Sequence, residues 1–485
     1  MEKHKVDGDL KKVQGFMTGA RKQNKTLANV GLSVIFLVAV LLYAALDHGM
    51  SGTGVFVVAA AVIGAYMAMN IGANDVANNI GPAVGSRALT MTGALVIAAI
   101  FEAAGAIIAG GDVVSTIRKG IIDPAGMADQ MTFIWAMMPA LLAAALWLNL
   151  ATWFGAPVST THSIVGGVVG AGIAAAGASS VEWVKLGMIA ASWVISPVLG
   201  GIIAAAFLLF IKRMILGKED MLEAARTWVP VLVGIMVGAF SMYLVMKGLK
   251  KIWKPDAGML WLIAIGGFAV TWAVTKPLIA RASVGLENRK RSVAKLFTIP
   301  LIGSAALLSF AHGANDVANA VGPLAAIVSA ADGSAIDGGK IALPLWVMVI
   351  GAIGISIGLL LYGPKLIRTV GEKITKLNQM RAFCVALAAA ITVIAASWLG
   401  LPVSSTHIAV GGIFGVGFLR EFLENRVNKK KAQTVETLKE KKKLEKRKLV
   451  RRKEMLTIAA AWVITVPVAG LLSAGLFFVL YNSFS

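Results

Sequence analysis

Long apolar runs alternate with short polar connections along almost the whole chain. Thirteen such runs occur, near 27–46, 53–72, 88–110, 133–154, 157–179, 183–211, 227–247, 257–276, 296–312, 341–362, 382–400, 402–420 and 455–481. Most are about as long as a helix that crosses the hydrocarbon, ~20 residues. Continuous apolar runs in lipid must satisfy their own backbone, which selects helices. The pattern therefore predicts an all-α polytopic membrane protein of about 12–13 spans. It leaves open whether 157–179 and 402–420 cross fully or turn back as re-entrant hairpins.

Polar islands interrupt this pattern, and they come in pairs. Gly72-Ala73-Asn74-Asp75-Val76-Ala77-Asn78 recurs letter for letter as Gly313-Ala314-Asn315-Asp316-Val317-Ala318-Asn319, and each copy is followed by Gly-Pro. Pro157-Val158-Ser159-Thr160-Thr161-His162 matches Pro402-Val403-Ser404-Ser405-Thr406-His407, each running on into Gly-Gly. Order and spacing are kept, so the chain is a repeat. Acids and amides at membrane depth are costly and point to function. A duplicated polar break in two membrane halves points to a transporter binding site.

Basic residues set the orientation. Lys3, Lys5, Lys11, Lys12, Arg21, Lys22 and Lys25 crowd the N-terminal tail. Placing that tail in the cytoplasm puts every strongly basic loop there except 247–254. The run before the first Asn-Asp then travels inward and the run before the second outward. The halves are expected to be inverted repeats with broken helices, and the C-terminus to lie outside. The expected division is a basic tail (1–26), an extra span (27–52), repeat 1 (53–211), a linker with two scaffold spans (212–295) and repeat 2 (296–481). Repeat 2 carries a basic insertion at 420–453.

Composition agrees. Hydrophobic residues make up 57% of the 485, and the mean hydropathy is +0.77. The net charge of +21 fits orientation signals and contact of 420–453 with anionic lipid better than nucleic-acid binding. The single Cys384 excludes an internal disulfide. No metal-binding His/Glu helix, nucleotide loop or nucleophile–base spacing marks an enzyme.

The two paired motifs resemble those of the PiT family of inorganic phosphate transporters, over about residues 53–481. The resemblance implies secondary transport of phosphate across the cell membrane, driven by sodium or protons, with sulfate carriers among the family's members. It also implies a homodimer and no bound cofactor.

The residue chemistry supplies roles. Phosphate needs many donors and compensating positive charge. Proline followed by hydroxyl residues starts a helix, whose free N–H groups and dipole favour anions. Ser159, Thr160 and Thr161, with Ser404, Ser405 and Thr406, are expected to cap these helices and bind substrate, together with Asn74 and Asn315. Two carboxylates would repel phosphate unless they hold cations. Asp75, Asn78, Asp316 and Asn319 are therefore expected to ligate sodium, a hard cation that suits oxygen ligands. Unwound backbone at these breaks would add carbonyls. If protons drive transport, the same Asp residues carry them. His162 and His407 either gate by protonation or orient the motif through a carbonyl. Glu102 is either an auxiliary cation ligand or a structural partner. A passive anion channel would need no pair of midplane acids.

Overall fold

The apolar runs fold into helices that use composition, not length alone, to choose their depth. The computed structural model describes residues 2–156, 158–248, 253, 255–333, 343–373, 377–432 and 452–484. Fifteen α-helices lie within them: α1 (Glu2–His48), α2 (Gly54–Gly85), α3 (Met91–Ala109), α4 (Gly111–Lys119), α5 (Gln130–Phe154), α6 (Thr160–Ala176), α7 (Trp183–Met214), α8 (Met221–Gly248), α9 (Ala257–Ala282), α10 (Lys290–Leu296), α11 (Thr298–Ala331), α12 (Leu345–Lys373), α13 (Gln379–Trp398), α14 (Ser405–Ala432) and α15 (Arg452–Phe484). No strand appears among the described residues; one isolated bridge pairs Ile122 with Val181.

Eleven helices are long and apolar enough to cross a membrane, or twelve if the bent pair α10–α11 counts as one span. Of the thirteen apolar runs, the two whose crossing the sequence leaves open differ in length. The run at 157–179 yields only the 17-residue α6, about 26 Å at helical rise and shorter than the other spans. Its counterpart α14 is long enough to cross.

Helices α2 and α11 form the centre, and both are buried on nearly all faces. Around them the packing is exchanged between the repeats. Helix α2 lies on α12 and α11 lies on α3, while α6 packs on α15 and α14 packs on α7. Small residues let these backbones approach closely, the main source of helix affinity in lipid. Gly72 lies against Ile355 and its repeat mate Gly313 against Glu102; Gly166 lies against Val466 and Gly411 against Pro197. A Cβ at Gly313 would fall inside the Glu102 carbonyl. Gly313→Ala is expected to cost about 1–3 kcal/mol, the range for overpacking, read as a lower melting midpoint in detergent.

Helices α8 and α9 differ in burial, and α8 joins the core through Val229, Leu232 and Met236. Helix α9 packs on α8, and none of its most apolar window is buried. Helix α1 continues unbroken from the basic tail into the first span.

A correction concerns where the helices break. Residues 72–78 and 313–319 lie inside the continuous helices α2 and α11, so their carbonyls are not released. The breaks fall one motif later, between α5 and α6 and between α13 and α14. Gly155 (φ 71°) and Gly400 (φ 69°) open the equivalent loops in the left-handed region, where glycine alone is unstrained. Pro157 and residues 433–451, including Leu438, Leu444 and Leu449 of the basic insertion, lie outside the described residues.

Candidate functional site

Both loops after the breaks are pinned to the central helices by an asparagine. Asn74 Nδ2 donates to Thr152 Oγ1 (2.9 Å) and the Ala156 carbonyl (3.3 Å), and Asn74 Oδ1 accepts from Val158 N–H (3.3 Å). In the other half, Asn315 Nδ2 donates to Ser397 Oγ (3.0 Å) and the Leu401 carbonyl (3.2 Å). Its Oδ1 accepts from Val403 N–H (3.2 Å). These amides are saturated by their own loops. Their expected role in substrate binding gives way to positioning: each sets where a hydroxyl motif begins. Asn315→Ala strands a buried N–H and a carbonyl, at about 1–3 kcal/mol. The melting midpoint in detergent is expected to fall with the protein still monodisperse.

Ser159 and Ser404 likewise face their own helices. Ser159 Oγ accepts from His162 N–H (3.1 Å) and Ser404 Oγ from His407 N–H (3.3 Å), which is N-capping. The next residues reach the centre: Thr406, Thr160 and Thr161 do so across the repeats, and Ser405 meets the acid of its own repeat. Thr406 Oγ1 donates to Asp75 Oδ1 (3.0 Å) and accepts from Asn78 Nδ2 (2.8 Å). Asn319 Nδ2 lies 3.2 Å from both Thr160 Oγ1 and Thr161 Oγ1. Ser405 Oγ donates to Asp316 Oδ2 (2.9 Å). Thr161 Oγ1 also donates to the Val403 carbonyl (2.9 Å), tying the loops together.

The centre contains a residue that sequence reasoning missed. His312 directly precedes the second Gly-Ala-Asn-Asp. Its Nε2 lies 2.8 Å from Asp316 Oδ2 and 3.7 Å from Asp75 Oδ2, and its Nδ1 lies 3.1 Å from Glu102 Oε2. Ligand atoms of Asp75, His312 and Asp316 fall within 4.8 Å of one another. Glu102 also accepts from Asn79 Nδ2 (2.8 Å). All four ionisable residues are fully buried. Glu102 is thus placed as the partner of a histidine and an amide, not of a hydroxyl. The available signal was a histidine at membrane depth beside an acid motif. It was passed over because the repeat puts Ile71 at the matching position.

His162 and His407 lie on the far side of the hydroxyl motifs. Their rings meet edge to face at 4.4 Å, with Trp193 against His162 and Trp462 stacked on His407. His162 Nδ1 lies 3.3 Å from the Trp462 carbonyl. His162 thus meets a carbonyl, whereas neither ring nitrogen of His407 makes a hydrogen bond; neither ring bonds to the acids among the described residues.

Five buried acceptors at the centre make no hydrogen bond: Asp75 Oδ2, Asp316 Oδ1 and Asn319 Oδ1, with Asn79 Oδ1 and Glu102 Oε2. Carboxylate, amide and hydroxyl oxygens around them form a hard donor set. His312 Nε2 is the imidazole nitrogen that faces both aspartates. The starts of α6 and α14 converge on the same place and present positive helix ends.

A family model described as "Phosphate transporter family" matches residues 71–473, which span both pairs of motifs. The chain belongs to the phosphate transporter family. It is 46% identical to a Helicobacter pylori protein over 97% of this chain and 98% of that one. It is 37% identical to a Pyrococcus abyssi protein over 87% and 96%. Both relatives carry the name "Putative phosphate permease". Among solved structures the fold matches "The sodium-dependent phosphate transporter", with a TM-score of 0.79 and 34% identity over 88% of this chain and 99% of that one. The family is one of transporters, not enzymes.

Proposed function

We propose that this member of the family imports inorganic phosphate across the cell membrane together with sodium. Phosphate lies between the starts of α6 and α14, held by Thr160, Thr161, Ser405 and Thr406. Sodium lies against Asp75, Asp316, Asn78 and Asn319. The observation that carries this reading is the meeting of Asp75 and Asp316, each accepting a hydroxyl from the start of α14, with Thr160 and Thr161 of α6 beside Asn319.

Charge explains the coupling. Asp75, Asp316 and Glu102 are buried with one histidine between them, and no Lys or Arg forms an ion pair with any of them among the described residues. Adding a phosphate anion to such a site is prohibitive at low dielectric. Added sodium ions offset the charge, so each ligand raises the other's affinity, which is coupling in thermodynamic form. The unpartnered carboxylate oxygens also give a proton of hydrogen phosphate somewhere to point, which sulfate cannot use.

Two equivalent helix starts converging on one point, with partners exchanged between repeats, support halves of opposite orientation. Alternating access then comes from rocking one repeat against the other around a fixed site. The basic tail sits in the cytoplasm and the C-terminus outside. The protein works as a homodimer in contact with anionic lipid. The test is uptake of labelled phosphate into liposomes with sodium, potassium and pH gradients imposed separately. Uptake should follow the sodium gradient. Uptake driven equally by potassium, or by the pH gradient alone, would overturn sodium coupling.

A further inference from the structure

A cavity of about 590 Å³ opens between α1, α2, α5 and α12. It has no assigned role, and its chemistry differs from that of the centre. No Asp or Glu lines it, while Lys365 and Arg368 stand at its rim, both exposed. Amides supply the walls. Asn29 Nδ2 donates to the Leu361 carbonyl (2.7 Å), Asn70 Nδ2 to the Tyr66 carbonyl (2.9 Å) and Asn149 Nδ2 to Asn70 Oδ1 (3.2 Å). Each amide nitrogen has a second hydrogen to offer.

Helix α1 closes one side. Asn29 and Ser33 belong to it, and the Ser33 hydroxyl meets that of Tyr362 at 2.8 Å. The floor is Ala73 and Thr152. Thr152 Oγ1 accepts from Asn74 Nδ2, and Asn74 adjoins Asp75. The cavity therefore ends one residue short of the acidic centre.

We propose that this cavity is a second site for a phosphate group, held without sodium, at the threshold of the centre. Two cations and convergent amide donors, with no carboxylate to repel it, are what a phosphate group requires. Cations at the rim of a low-dielectric pocket also raise the local concentration of anions. The occupant's phosphate comes either from free orthophosphate on its way through or from a phospholipid headgroup lodged behind α1. The threshold role rests on the coupled-transport reading above; the site itself does not.

The two sites separate by their sodium requirement. Labelled orthophosphate is titrated against the purified full-length protein in phosphatidylcholine nanodiscs, with sodium or with choline in its place. Binding at the centre needs sodium; binding at the cavity persists in choline. The persistent class should remain in Asp316→Asn and weaken about tenfold in Lys365→Gln/Arg368→Gln, as two charge-assisted contacts are lost. Lys365 Nζ donates to the Trp153 carbonyl (2.8 Å), so Arg368→Gln alone, which leaves that bond in place, is the control for folding and should give an intermediate loss. Phosphatidylglycerol nanodiscs distinguish the sources. Suppression of the persistent class there identifies a lipid headgroup as the occupant, and its survival identifies free phosphate. Absence of any binding in choline, or binding unchanged in the double variant, would overturn the proposal. If the sodium-dependent class alone were missing from the wild type, the coupled-transport reading would fail and this site would stand.

Discussion

Replacing either Asp75 or Asp316 with asparagine is expected to abolish sodium-driven phosphate uptake while leaving a folded protein. The substitution keeps shape and removes the charge that offsets sodium. Each carboxylate also accepts a hydroxyl from a substrate motif, Asp75 from Thr406 and Asp316 from Ser405, and an amide oxygen still accepts that bond. The loss is therefore concentrated in cation binding. A charge-assisted contact contributes about 1.5–3 kcal/mol, and more where water is excluded. At about 3 kcal/mol the sodium affinity falls roughly a hundredfold, and phosphate affinity falls with it by linkage. Initial rates of labelled uptake into liposomes, normalised to reconstituted protein, measure this. Wild-type rates from either single variant would remove both acids from the cation site.

The second large effect is expected at His312, and it divides stability from transport. His312→Ala leaves Glu102 and Asp316 facing each other through the emptied volume. Breaking a buried charged pair by removing one partner costs about 3–5 kcal/mol, which should lower the melting midpoint by several degrees and eliminate uptake. The other half of the molecule suggests the control. Gly72 lies on Ile355 as Gly313 lies on Glu102, and Ile71 stands where His312 does in the repeat. The double variant Glu102→Ile/His312→Ile thus copies an arrangement this fold already packs. Replacing a buried pair with apolar residues of similar bulk is often neutral for stability. The double variant still leaves Asp316 and Asn79 without their partners, so it should recover only part of the stability lost in His312→Ala and still fail to transport. Transport regained along with stability would make the pair structural only.

The same contrast explains what was legible in the sequence. The two Asn-Asp motifs were visible because polar letters are rare in apolar runs and these occur twice. Thr406 and Asn319 were visible for the same reason. Asn74 and Asn315 were misread because a repeated amide looks the same whether it holds a ligand or a loop. Only the bonds to Val158 and Val403 separate the two. The helix breaks were placed one motif early because Gly-Asn-Asp carries local helix-breaking preferences that packing against α12 and α3 overrides. His312 escaped because it departs from the repeat, whereas Glu102 departs from it too but stands out as an acid in an apolar run, its role left open between ligand and structural partner. They are unpaired in sequence yet lie against each other in space.

Sodium at the acidic centre, with phosphate bound to the protein through it, is the claim on which the rest depends. The direct measurement is equilibrium binding of labelled sodium to the purified protein, with and without saturating phosphate. Phosphate should tighten sodium binding, sodium should tighten phosphate binding by the same factor, and both effects should vanish in Asp316→Asn. Sodium binding that phosphate leaves unchanged would contradict the account.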